Sequence, residues 1–255
     1  TAYLLKDVLK LPETATAAKP VTGKHSSVGQ NANHATVAGT TAAEPIAIIG
    51  MACHYPGDVD SPAAFWQQLL AGFDGISDLP ANRAADMPAS ALAQTTNVPQ
   101  RGGFLAQVDA FDPTFFGLSP REVVVMDPAH RLLLETAWQA LEEANLIPAQ
   151  LFNQAIGVFV GGGTSDYLKA YQPEQADLYA VTGNTPSTAA GRLSYVLGFT
   201  GPAMAIDTAC SSSLVAIHLA CQSLRNGECE AALAGGVNLI LEQETTTLFA
   251  SGNML

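Results

Sequence analysis

Short apolar runs closed by glycine are the clearest pattern along the chain. Ile46-Ala47-Ile48-Ile49-Gly50 and Ile156-Gly157-Val158-Phe159-Val160, the second followed by Gly161-Gly162-Gly163, lack polar alternation. Runs of this kind belong to strands covered on both faces. Ala203–Asp207 reads as a further short strand, and residues 230–241 as the last one. Helical spacing fills the intervals. Ser61-Pro62 supplies an N-cap and a first-turn proline ahead of Phe65, Trp66, Leu69 and Leu70, with Gly72 as the stop. Asp127-Pro128 repeats the device before a stripe of Leu133, Ala137, Trp138, Leu141 and Ala144, with Glu135, Glu142 and Glu143 outside it. Further helices are expected near 188–197 and from about Ser211 to Arg225; the latter is apolar nearly all round and is expected to be buried. Strands alternating with helices predict an α/β sheet covered on both faces.

Two stretches depart from this pattern. Residues 74–120 are rich in Pro, Gly, Asn and Asp and read as a surface excursion. Residues 13–43 are dominated by Ala, Thr, Ser, Gly, Asn and Lys, without an aromatic residue, and read as a flexible linker. Before them, Tyr3, Leu4, Leu5, Val8, Leu9 and Leu11 have roughly helical spacing up to Pro12, so a helix is expected over residues 1–12. The folded body is expected to begin at Glu44.

Charge narrows the partners. Residues 1–43 hold four lysines against Asp7 and Glu13; since the whole chain is −12, residues 44–255 carry −14. Such a surface repels phosphate backbones, so nucleic acid is not an expected partner. No stretch approaches the ~20 uninterrupted apolar residues of a membrane span. The four cysteines, Cys53, Cys210, Cys221 and Cys229, form no CxxC pair and have no histidine spacing suited to zinc. Neither a metal nor a directly bound cofactor is expected, and the cysteines are expected to be free thiols in a reducing cytoplasm.

One of those cysteines is placed for chemistry. Asp207-Thr208-Ala209-Cys210-Ser211-Ser212-Ser213 lies between a predicted strand and a predicted helix. A thiol there meets the positive end of the helix dipole and unpaired backbone N–H groups, which favour a thiolate and can also bind the oxyanion formed when a thioester is attacked. Free cysteine is also among the most buried residue types, so position alone leaves a packed core cysteine and a nucleophile both open.

The neighbours of Cys210 carry more information. Asp207 through Ala216 resembles the active-site signature of the β-ketoacyl synthase family, in its modular polyketide synthase branch. A collinear series supports the likeness: Glu44 through Cys53; Phe111-Asp112-Pro113-Thr114-Phe115-Phe116-Gly117-Leu118-Ser119-Pro120-Arg121-Glu122; Met126-Asp127-Pro128 through Glu135; Ala190 through Tyr195; and Gly235-Gly236-Val237-Asn238. Together these segments cover residues 44–255.

The resemblance implies a thiolase-like fold, in which two α/β halves pack as an α-β-α-β-α sandwich and the domain forms a homodimer. It implies that Cys210 is the nucleophile, that its backbone N–H serves in the oxyanion hole, and that substrates arrive on the phosphopantetheine of acyl carrier domains. A malonyl-type extender, chosen by an acyltransferase domain, would then lose carbon dioxide and condense with the acyl group. The family's two downstream histidines, one in a His-Gly-Thr-Gly-Thr motif, have no counterpart in these 255 residues. Residues 44–255 are therefore read as the N-terminal part of a ketosynthase domain. His25, His34, His54, His130 and His218 are not expected to be catalytic, and Cys221 and Cys229 are read as structural. Residues 1–12 resemble the last helix of a carrier domain, with a docking helix or the end of another domain as alternatives. A fatty-acid-type synthase and a non-condensing acyl-transfer or scaffold domain are the competing functions.

Overall fold

The computed structural model describes residues 2–7, 44–81, 101–163, 166–167, 177–241 and 244–254. Its centre is a five-stranded sheet built from β1 (Ala2–Asp7), β2 (Ile46–Ala52), β5 (Ile156–Gly161), β6 (Ala203–Ile206) and β7 (Ala231–Gly236). The strand order is β2-β1-β7-β5-β6. β1 runs antiparallel to both β2 and β7, whereas β5 is parallel to β6 and β7. All strands of this sheet but β1 therefore point the same way. A separate two-residue ladder joins β3 (Ser77–Asp78) to β4 (Arg101–Gly102).

Ala2–Asp7 is thus a strand, where a helix was expected over residues 1–12. A short apolar run does not distinguish the two by periodicity, and here the backbone pairs on both sides, Leu4 lying between Gly50 and Leu233. The sheet supplies more hydrogen-bond partners than an isolated helical turn does. The linker expected over 13–43 lies outside the described residues.

Helices cover both faces. On one lie α3 (Pro128–Glu143) and α5 (Pro186–Leu197), on the other α6 (Ser212–Arg225). Alternation along β5 feeds both layers. Val158 and Val160 join Leu133, Leu134, Ala137, Leu141, Ala190, Leu193 and Leu233 in one core. Phe159 joins Ile206, Ala216, Ala220, Leu224, Ala232 and Ala234 in the other. Phe159 is 1% exposed, and burying such a side chain stabilises by about 2–3 kcal/mol.

The predicted caps are in place. Ser61 accepts from the Ala64 N–H at the start of α1 (Pro62–Ala71), and Gly72 closes it with φ 64°. Asp127 accepts from the Ala129 N–H at the start of α3. Two expectations need correction. The last strand stops at Gly236, where its partner β5 ends at Gly161; the Val237 N–H donates to Gly161 O at 3.0 Å as the final rung. α6 is buried on one side only: Ala216, Ala220 and Leu224 face the sheet, while Leu214 is 70% exposed and His218 is exposed. The short helices α2 (Pro120–Val125) and α4 (Leu178–Asn184) pack against each other, and α7 (Glu244–Ser251) follows β7.

Candidate active site

The carboxyl ends of β2, β5, β6 and β7 share one rim, the side on which open parallel sheets build their sites. Cys53-His54, Gly162-Gly163, Asp207–Ser211 and Val237-Asn238 leave the strands there. Glycines let these segments close on one another. A Cβ at Gly161 would lie 2.6 Å from Ser212 C and Ser213 N, and one at Gly236 would lie 2.8 Å from Ser213 Cβ. The first turn of α6 therefore sits directly on the ends of β5 and β7.

Cys210 is carried on this corner. β6 ends at Ile206, the chain turns through Asp207-Thr208-Ala209, and α6 begins at Ser212 with Ser211 as its cap. Cys210 is exposed and its thiol is free. Ala209, just before it, has φ 54°, in the left-handed region that a side chain seldom enters. Asp207 Oδ1 accepts from the Ala209 N–H at 3.0 Å. Ser211 N–H donates to Thr208 O at 3.4 Å and Ser212 N–H to Ala209 O at 3.0 Å. Those two amides are engaged within the turn.

Among the described residues, no histidine is brought to the thiol. His218 follows Cys210 by eight residues and lies on α6, about 9 Å of helical rise beyond its start at Ser212, and is exposed. His54 Nδ1 lies 3.0 Å from Asp60 Oδ1, beyond the end of β2. His130 is buried in the first turn of α3, and that burial pushes its pKa down to about 4. His25 and His34 fall outside the described residues. Cys229 is buried and 3.4 Å from Ser223 Oγ; Cys221 is half-buried on α6. Among the described residues, no group of three or more His, Cys, Asp or Glu is arranged to hold a metal ion. Nor is any helix among them long and apolar enough to cross a membrane.

A set of half-buried to buried polar contacts among α2, α3, α4 and α5 is not marked in the sequence. Glu122, in the Ser-Pro-Arg-Glu segment, accepts from Arg192 Nη1, in the segment 190–195, so two separated motifs meet as an ion pair. Arg131 donates to Met126 O from Nε at 3.0 Å, and Asn184 Nδ2 donates to Val125 O at 2.7 Å. These bonds fix the segment between α2 and α3. An arginine in an otherwise apolar helix, Arg192, is the one local signal, and its partner lies 70 positions away.

The covered sheet and the cysteine-bearing corner at its carboxyl rim place the molecule among thiolase-like α/β proteins. Solved ketosynthases share this arrangement. The oxazolomycin ketosynthase domain of Streptomyces albus superposes with TM-score 0.68 at 37% identity, over 80% of this chain and 37% of that one. A ketosynthase from module 6 of the bacillaene synthase of Bacillus subtilis superposes with TM-score 0.68 at 35% identity, over 81% of this chain and 34% of that one. The family profile described as beta-ketoacyl synthase, N-terminal domain, matches residues 43–255. The chain belongs to the β-ketoacyl synthase family. A spectinabilin polyketide synthase protein of Streptomyces orinoci is 51% identical over 210 residues, which are 81% of this chain and 6% of that protein. The mycoketide-CoA synthase of Mycobacterium tuberculosis is 48% identical over 217 residues, which are 82% of this chain and 5% of that protein. The chain thus spans a small part of the relatives it matches.

Proposed function

We propose that this chain carries the acyl-accepting half of a polyketide synthase ketosynthase, with Cys210 as the nucleophile. The observation that carries the reading is Cys210 itself, exposed on a left-handed turn between β6 and the first turn of α6. Its thiolate attacks the carbonyl of an acyl-phosphopantetheine thioester. The negative charge passes to the carbonyl oxygen, which the Cys210 N–H stabilises as one oxyanion donor. Collapse of this intermediate forms the acyl–Cys210 thioester, breaks the carrier's C–S bond and releases the pantetheine thiolate, which takes up a proton. The acyl–enzyme is the electrophile of a decarboxylative condensation. There the enolate left by a malonyl-type extender attacks the acyl carbonyl and Cys210 leaves as thiolate. Acyl acceptance is the step assigned to Cys210. This acyltransferase chemistry requires carrier domains as partners and an acyltransferase domain for the extender, and it needs no cofactor bound to the chain itself. A cytoplasmic location accords with the free thiols.

Incubating the chain with an acyl-pantetheine thioester and digesting it for mass spectrometry tests this. The peptide containing Cys210 is expected to gain the mass of the acyl group, and Cys210→Ala to gain none. Equal acylation of the Cys210→Ala chain would refute the assignment.

A further inference from the structure

One buried hydroxyl bonds twice within the turn that presents Cys210. Ser212 Oγ donates to Ala209 O at 2.7 Å and accepts from the Thr208 N–H at 2.9 Å. The two groups flank Ala209, whose φ of 54° places it in the left-handed region. A residue with a Cβ stays there only when its surroundings hold it. Asp207 Oδ1 and Ser211 Oγ also bond within the turn, but both side chains are exposed to competing water. Ser212 is 6% exposed, and both functions of its hydroxyl are used inside the turn. Its own backbone is fixed in turn, because α6 rests on Gly161 with no room for a Cβ between them.

We propose that Ser212 is a positioning residue for Cys210. Its hydroxyl locks the left-handed turn, and through that turn it sets the direction in which Cys210 offers its thiol and its N–H to a thioester carbonyl. The inference rests on Cys210 being the acyl acceptor, but Ser212 acts through the backbone and not on the acyl group.

Two measurements on the same chains test it. One is single-turnover acylation of Cys210 over a series of acyl-pantetheine concentrations, resolved by peptide mass spectrometry. The other is alkylation of Cys210 by iodoacetamide, which needs no acyl recognition. Ser212→Ala is expected to lower the maximal acylation rate about tenfold, with the half-saturating concentration changed less than about twofold. Ser212→Thr keeps the hydroxyl and is expected to return the rate to within about threefold of wild type. Ala209→Gly reaches the turn without a Cβ and is expected to recover part of the loss in the Ser212→Ala background.

Wild-type acylation and alkylation rates in Ser212→Ala would overturn the proposal. So would a Ser212→Thr chain as slow as Ser212→Ala while melting like wild type. If Ser212→Ala alone does not fold, Ala209→Gly is compared with and without it, and equal rates in the pair count against the proposal. If wild type is not acylated at Cys210, the reading of Cys210 fails, and the alkylation arm still decides the role of Ser212.

Discussion

His130 lies in the first turn of α3 with 5% exposure, and its Nδ1 makes no hydrogen bond. Burial is the main cause of its lowered pKa, with Arg192 acting in the same direction and Asp127 opposing them. The consequence for stability has a definite sign. Below pH 6.5 the unfolded chain takes up a proton that the folded chain refuses until about pH 4. Stability therefore falls as pH drops through that interval, by about 2 kcal/mol between pH 7 and pH 5 from this residue alone. His130→Gln should remove that part of the loss. The test is the difference in urea midpoint between the two chains at each pH; parallel losses in both would exclude His130 as the source. At this scale the sequence is informative where neighbours carry the signal and silent where contacts do. Cys210 stands out through the residues around it. The left-handed Ala209 does not, because Thr208-Ala209-Cys210 contains no glycine or asparagine to mark a positive φ. The burial of His130 and the Glu122–Arg192 pair depend on helices meeting across distant parts of the chain, and no local pattern reports that.

Among elements, glycine-closed runs and proline-led caps predict β2, β5, α1 and α3 well, since these are decided within a few residues of backbone and cap. β1 and the exposure of α6 escape such a reading for the opposite reason. A six-residue segment with only a short apolar run takes whichever partner the fold offers, and the outward side of α6 is left uncovered by the other described elements. The junction of α6 with β5 gives an element-level prediction. Gly161→Ala places a Cβ 2.6 Å from two backbone atoms of α6, where no side chain can yield. The helix must shift, at a cost of about 1–3 kcal/mol. Because Cys210 precedes that helix by two residues, its acylation should slow as well. Chemical denaturation and the acylation assay measure the two effects on one preparation. Wild-type values in both would show that the contact between strand and helix does not position the corner.

For the molecule as a whole, the sheet has two unequal edges. β2 closes one of them and is tied to α3, where Met51 N–H donates to Glu143 Oε2 at 2.8 Å. β6 closes the other and, among the described strands, pairs only with β5. Ala203-Met204-Ala205-Ile206 contains neither proline nor charge, the usual guards of a free edge. Apolar side chains on adjoining elements are exposed too: Met204 at 43%, Tyr195 on α5 at 85% and Leu214 on α6 at 70%. An unguarded edge strand bordered by apolar residues suits an isologous contact, in which the same strand from a second copy pairs antiparallel across a two-fold axis. That contact would continue the sheet across the seam, and it would cover the apolar residues beside the corner that holds Cys210. The expected outcome is a dimer of the chain in sedimentation equilibrium, shifted towards monomer by Met204→Lys without loss of helical circular dichroism. A charge at the seam must either lose water or hold the strands apart, whereas on a free edge it would cost little. A monomeric wild-type chain, or a Met204→Lys chain as dimeric as wild type, would remove β6 as the seam. Acylation of Cys210 measured on the same samples then tells whether the corner depends on its neighbour, because a self-sufficient corner would react equally in monomer and dimer.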